Sequence, residues 1–192
     1  MRLLLASKSP RRRQLLGELG YPVEFITLDV DEHVPDGTPA AATAELLACR
    51  KAGAYASSMM ADDDILVAAD TVVVLEEKVL GKPADRSEAL AMLRSLSGNR
   101  HTVYTGVCLR TISQTVSFTE KTDVYFRQLS DEDLAYYVDN YRPFDKAGAY
   151  GIQEWIGHIG VTALNGSFYN VMGLPVQRIY EALKTFCETQ NR

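Results

Sequence analysis

Between residues 7 and 13 the chain reads Ser-Lys-Ser-Pro-Arg-Arg-Arg, two hydroxyls and three guanidinium groups around a Ser-Pro pair. Serine is a preferred helix N-cap and proline belongs at the first helical position. The first-turn amides of such a helix have no intrahelical acceptor, and the helix dipole adds positive potential at that end. Ser7 and Ser9 can donate hydroxyl hydrogen bonds there, while Arg11 and Arg12 offer forked, permanently charged donors. The pattern describes a grip for phosphate. Three consecutive arginines cannot share one helix face, so at least one is expected to point to solvent.

A second centre of chemistry is Asp70, a single carboxylate inside the run Val67-Ala68-Ala69-Asp70-Thr71-Val72-Val73-Val74. Burying an unpaired carboxylate is costly, so a partner is required. That partner is either a salt bridge or cap at a strand end, or a cation beside bound phosphates. In the second case Asp70 serves as metal ligand or general base. The anion site earlier in the chain favours the second. Asp29-Val30-Asp31-Glu32 adds acids in a loop, and with Asp70 they supply the oxygens a hard cation such as Mg²⁺ prefers. Lys82, in Gly81-Lys82-Pro83, and Lys51, in a helical stretch, are each solvent-facing or catalytic on sequence alone.

The elements that must hold these groups follow from periodicity. Arg2–Ala6 is a short apolar run ending at a turn signal, hence a buried strand. The helix opened by Ser9-Pro10 repeats Leu15, Leu16 and Leu19 on one face and is expected to end at Gly20. A strand over Val23–Leu28 leads into a loop, Asp29–Pro39, and then an Ala-rich helix from Ala40 to about Ser58. The apolar runs Ile65–Ala69 and Val72–Leu75 are separated by Asp70-Thr71, and a hairpin turn is expected at Glu76-Glu77-Lys78. Leu90, Leu93 and Leu96 mark a further helix, ended by Ser97-Gly98. His101–Arg127 is rich in Val, Thr, Tyr and Phe and predicts two long strands. Ser130-x-x-Asp133 predicts a capping box, and Val176, Ile179, Tyr180 and Leu183 a C-terminal amphipathic helix. Interleaved helices and strands, with no internal repeat, predict an α/β fold.

The 192 residues, 46% hydrophobic and 23% charged, suit a globular protein able to bury a substantial core. The formal net charge of −5 disfavours nucleic acid as a partner, because a polyanion binder needs a basic surface. A local basic cluster in an acidic chain suits a small anionic ligand. Cys49, Cys108 and Cys187 have no paired spacing, which disfavours a disulfide framework or zinc site and favours a reducing compartment. The apolar N-terminal run is too short for a signal peptide, and no window suits a transmembrane span.

Several segments, in order, resemble the Maf family of nucleotide pyrophosphatases: Ala6-Ser7-Lys8-Ser9-Pro10-Arg11-Arg12, Asp31-Glu32, Ala69-Asp70-Thr71-Val72 and Gly81-Lys82-Pro83. Asp145-Lys146-Ala147-Gly148-Ala149-Tyr150-Gly151-Ile152-Gln153 is similar to the branch acting on dTTP and UTP, and Asn165-Gly166-Ser167 and Val171-Met172-Gly173-Leu174-Pro175 also fit. The resemblance implies a single domain over residues 1–192, with an ITPase-like mixed sheet flanked by helices and two lobes around a central cleft. It implies a cytoplasmic, commonly homodimeric enzyme. With a divalent cation, Mg²⁺ or Mn²⁺, it would split a nucleoside triphosphate into monophosphate and pyrophosphate. Asp70 matches the proton acceptor; Arg11, Thr71 and Gln153 match positions tied to base choice; Arg12, Glu32, Lys51 and Lys82 match charged cleft positions, which leaves Arg13 as the arginine expected to face solvent. Glu32 and Asp70 are the expected metal ligands. Modified pyrimidine nucleotides as substrates and a link to cell-division arrest also belong to these expectations. The rival reading is a nucleotide-binding regulator without catalysis.

Overall fold

The computed structural model describes residues 1–35 and 37–190, with side chains as far as Phe186. Asp36 of the acidic loop and the side chain of Cys187 lie outside what is described. In chain order the elements are β1 (Arg2–Ala6), α1 (Pro10–Gly17), β2 (Val23–Ile26), α2 (Ala40–Gly53), β3 (Asp64–Leu75), β4 (Lys78–Leu80) and α3 (Arg86–Leu96). They continue with β5 (Arg100–Arg110), β6 (Thr115–Phe126), α4 (Asp131–Tyr141), α5 (Trp155–Gly160), β7 (Val161–Asn165), α6 (Phe168–Met172) and α7 (Val176–Gln190).

The strands form one mixed seven-stranded sheet in the order β2-β1-β3-β5-β6-β7, with β4 added to β3. β1 runs parallel to β2 and β3, and the remaining pairs are antiparallel. Helices flank it, as the α/β reading expects. β3, β5 and β6 are long enough to carry two apolar cores. At one end Leu15 and Leu16 of α1 and Ile179 and Leu183 of α7 pack on Ile65, Val67 and Leu109. At the other, Leu90 and Leu93 of α3 and Tyr137 and Val138 of α4 pack around Val73, Val103 and Phe126.

β3 is one unbroken strand, where the sequence suggested two runs separated by Asp70-Thr71. One of its edges is shared between two partners. β1 pairs with Asp64–Val67 and β4 with Val73–Leu75, which leaves residues 68–72 without a strand on that side. The opposite edge pairs with β5 continuously from Leu66 to Val74. Side chains alternate across a strand, so Asp70 shares a face with Leu66, Ala68, Val72 and Val74, beneath the alanines of α2. Thr71 faces the other side. The small residues of α2 permit a close approach: a Cβ on Gly106, the β5 partner of Asp70, would lie 2.2 Å from the Glu45 amide nitrogen.

Other boundaries also moved. α1 ends at Gly17, so Leu19 lies beyond it, and Gly20 adopts φ +80° in the turn that follows. β2 stops at Ile26, where its pairing with β1 runs out at Ala6. α2 ends at Gly53, a poor helix former, and a separate 3-10 turn spans Ser57–Met59. The hairpin expected at Glu76-Glu77-Lys78 turns over Glu76-Glu77, so that Lys78 already begins β4. The capping box at Ser130 and Asp133 forms as expected. Among the described residues no helix is long and apolar enough to cross a membrane.

Candidate active site

A cleft of about 1090 Å³ opens over the uncovered edge of β3, and every site residue named from the sequence lines it. Its floor is a cluster of three charges. Lys51 of α2 places Nζ 2.5 Å from Asp70 Oδ1 and 2.8 Å from Glu32 Oε1. Lys51 and Asp70 are mostly shielded from solvent and Glu32 is exposed. The Lys51 hydrogen bond is the main influence holding the Glu32 carboxyl below its usual range; burial opposes it, and the charges of Lys51, Lys82 and Arg12 assist. The ammonium therefore lies between the two carboxylates expected to be metal ligands. Each carboxylate still has a second oxygen, Oε2 or Oδ2, with no hydrogen bond among the described residues.

The wall built by the loop after β1 separates its arginines. Successive helical side chains point about 100° apart, and the three guanidinium groups diverge accordingly. Arg11 reaches across the cleft to Asp145 Oδ2 at 3.1 Å. Arg12 turns inward: Nε donates to Gly173 O at 2.8 Å, one terminal nitrogen to Ala69 O at 2.9 Å and the other to Thr71 Oγ1 at 2.9 Å. Ala69 lies in the part of β3 that has no strand on this edge, so the guanidinium takes the place of a ladder donor. Gly173 ends α6 with φ +108°, a conformation that favours glycine and is the physical basis of that motif residue. Burial pushes the Arg12 pKa down, partly countered by Asp70. Arg13 is a correction to the solvent-facing expectation. Its Nε donates to Ser7 O at 3.1 Å and its guanidinium sits 5.1 Å from the Phe25 ring centroid.

Ser7 and Ser9 stabilise the loop through their acceptor lone pairs. Ser7 Oγ accepts from the Ser9 amide at 3.1 Å, and Ser9 Oγ caps α1 by accepting from the Arg12 amide at 3.4 Å. Each hydroxyl keeps its proton to donate to a ligand. Thr71 Oγ1, which accepts from Arg12, also lies 2.9 Å from Thr105 Oγ1. Lys82 follows β4 on the far rim, exposed, and the preceding Gly81 carbonyl accepts from the Gly148 amide at 3.0 Å.

The wall opposite α1 holds residues to which the sequence reading gave no role. Lys146 is buried and its Nζ contacts Asp145 Oδ1 at 2.7 Å and Glu154 Oε1 at 3.1 Å. Burial would raise the Asp145 carboxyl, but hydrogen bonds and charge from Lys146 and Arg11 outweigh it and hold the group low. Gln153 lines the same wall, and its Oε1 is buried without a hydrogen-bond partner among the described residues. Asp145 and Lys146 belong to the quoted segment ending at Gln153. Adjacent opposite charges there were the signal that could have marked them.

A family model described as "Maf-like protein" matches residues 2–186. A protein of Bacteroides thetaiotaomicron named "dTTP/UTP pyrophosphatase" is 53% identical over 183 residues, covering 95% of this chain and 94% of that protein. One of the same name from Parabacteroides distasonis is 52% identical over 186 residues, covering 96% of each. Among solved structures, the Staphylococcus aureus Ham1 protein matches 66% of this chain and 72% of its own, with TM-score 0.46 and 17% identity.

Proposed function

That this chain belongs to the Maf family is the premise from which we propose that it is a pyrophosphatase for dTTP and UTP, releasing the nucleoside monophosphate and pyrophosphate. The observation that carries this reading is Asp70, held at 2.5 Å by Lys51 in a cleft whose other wall is the Ser7–Arg12 loop. Modified pyrimidine triphosphates would enter the same cleft. The net charge of −5 suits work on the free nucleotide pool of the cytoplasm and not on nucleic acid.

Attack of water at the α-phosphorus needs a proton acceptor, neutralised phosphate charge and a stabilised leaving group. Asp70 Oδ2 accepts the water's proton while Lys51 fixes the carboxylate through Oδ1. The amides of the first α1 turn and the hydroxyls of Ser7 and Ser9 hold phosphate oxygens. A guanidinium has five N–H groups, so Arg12 keeps donors beyond its three protein contacts. With Lys51 and Lys82, these face the charge that develops on departing pyrophosphate. Gln153, Arg11 and Thr71 select the base.

Among the described residues no three His, Cys, Asp or Glu side chains gather into a metal site. Two carboxylates with one free oxygen each nevertheless fit an ion that arrives with the triphosphate, the usual habit of Mg²⁺. Glu32 and Asp70 would hold it, Asp70 Oδ2 having a second lone pair left for the proton, and when bound it supplies charge neutralisation and a more acidic water. The test is incubation with UTP or dTTP and Mg²⁺ or Mn²⁺, with products identified. Monophosphate plus pyrophosphate is expected; orthophosphate would refute attack at the α-phosphorus. Binding without turnover would favour the regulator reading.

A further inference from the structure

Uracil and thymine present an N3–H donor between two carbonyl acceptors, whereas cytosine presents an N3 acceptor beside an amino donor. A side-chain amide offers one acceptor and one donor group, so turning it over converts a fit for uracil into a fit for cytosine. An amide can therefore separate these bases only if its rotation is fixed. What holds the turn that carries Gln153 lies outside the cleft.

Gln153 sits inside a tight turn closed by the Glu154 amide donating to Gly151 O at 3.0 Å. Both ends of that turn meet one phenol. Tyr137 Oη, on the fully buried side of α4, accepts from the Gly151 amide at 3.0 Å and donates to Glu154 Oε2. Lys146 holds the other Glu154 oxygen at 3.1 Å. The amide nitrogen of Gln153 lies directly over Gly151, where an added Cβ would stand 2.9 Å from it. From the far side α5 presses on the same turn: a Cβ on Gly157 would come 1.8 Å from Ile152 O. The Gln153 side chain thus stands over Gly151, and its Oε1 is buried without a hydrogen-bond partner among the described residues.

We infer that Tyr137 is a positioning residue for base choice, its hydroxyl clipping the Gly151–Glu154 turn and so fixing where the cleft wall offers the Gln153 amide to the edge of uracil or thymine. The inference rests on the pyrimidine-triphosphate reading of the cleft. Tyr137 does not line the cleft and touches no substrate in this arrangement; it acts through Gly151 and Glu154.

The experiment compares kcat/KM for UTP and CTP in wild type, Tyr137→Phe, Gln153→Ala and the double variant. Phenylalanine keeps the ring and removes only the hydroxyl. The UTP-over-CTP ratio is expected to fall about tenfold in Tyr137→Phe, the effect appearing mainly in KM for UTP. It should fall no further when the substitution is added to Gln153→Ala, because both act on one amide. Equal losses for UTP and CTP, or an undiminished effect of Tyr137→Phe in the Gln153→Ala background, would reduce the tyrosine to a support of the fold and overturn the inference. A ratio changed by Gln153→Ala alone defeats the inference and leaves the base reading standing. A ratio changed by neither defeats both. If Tyr137→Phe does not fold, Gly151→Ala reaches the same amide through its new Cβ and should lower the same ratio; an unchanged ratio there overturns the inference equally.

Discussion

Lys51 and Asp70 meet at 2.5 Å across the boundary between α2 and β3, and the same ammonium reaches Glu32 at 2.8 Å. A buried strand tolerates Asp70 because a helix packed unusually close, over a glycine in β5, delivers a cation to it. The pairing also divides the labour of each carboxylate, one oxygen held by protein and one left for water, substrate or a cation.

Asp70→Asn removes the proton acceptor while preserving shape. Turnover of UTP should fall by about 10²–10⁴-fold, and calorimetric titration with the nucleotide should still detect binding. Near-normal turnover would take Asp70 out of the chemistry.

Lys51→Met leaves Glu32 and Asp70 facing each other without their shared cation. Because Lys51 is the main reason the Glu32 carboxyl titrates below its usual range, its removal should move that titration upward. Carboxyl-carbon NMR of Glu32 reads the shift. A titration that stays in place would mean that Lys82 and Arg12 dominate.

The two arginines of the phosphate loop should separate in stability measurements. Arg12→Ala strips donors from two backbone carbonyls and a threonine hydroxyl, and a loss of about 2–4 kcal/mol is expected in urea unfolding. Arg12→Lys should recover little, since an ammonium cannot span three acceptors in a fork. Arg11→Ala loses one pair with an exposed Asp145, which is expected to change stability by less than about 1 kcal/mol. Its effect should instead appear in nucleotide kinetics.

The phosphate loop was legible in the sequence because a cap, a proline and consecutive cations are local features. Asp70 was legible because a lone carboxylate in an apolar strand demands a partner. Which partner it has was not, since Lys51 reaches it only through the packing of α2 on the sheet. The split edge of β3 was equally hidden: a strand ending at Ala6 and a hairpin near Glu76-Glu77-Lys78 are local signals, but nothing local says that both strands share one edge of β3 and leave residues 68–72 between them. That gap is where Arg12 turns inward to Ala69. α5, β7 and α6 are short and lack a sustained apolar period, so no local pattern marks them. Cys49 and Cys108, unrelated by spacing, pack in one core through the same contact of α2 with β5.

Glu32→Gln tests the shared hold on a divalent cation. The Gln side chain keeps an oxygen but loses the charge, so the Mg²⁺ concentration for half-maximal rate should rise by about tenfold or more. Chelation should abolish turnover in both proteins, with recovery on adding Mg²⁺. Identical Mg²⁺ dependence in variant and wild type would exclude Glu32 as a ligand.

His101 gives the fold an acid sensitivity independent of the carboxylates in the cleft. The ring is buried among Phe126 and Tyr150, with Nε2 2.7 Å from Tyr150 Oη and Nδ1 lacking any partner among the described residues. Burial lowers its pKa to about 4, with Asp123 opposing. Between the ordinary histidine range near 6.5 and that value, the unfolded chain binds a proton that the folded protein refuses. Stability contributed by the neutral ring is therefore complete above that range and is lost as pH falls toward 4. By pH 4.5 the loss should reach about 2–3 kcal/mol from this group alone. His101→Gln keeps a polar partner for Tyr150 but cannot titrate. It should begin less stable at pH 7.5, and its urea-unfolding free energy should decline less steeply on acidification by that amount. Parallel declines in variant and wild type would show that His101 is protonated as readily in the fold as in the unfolded chain.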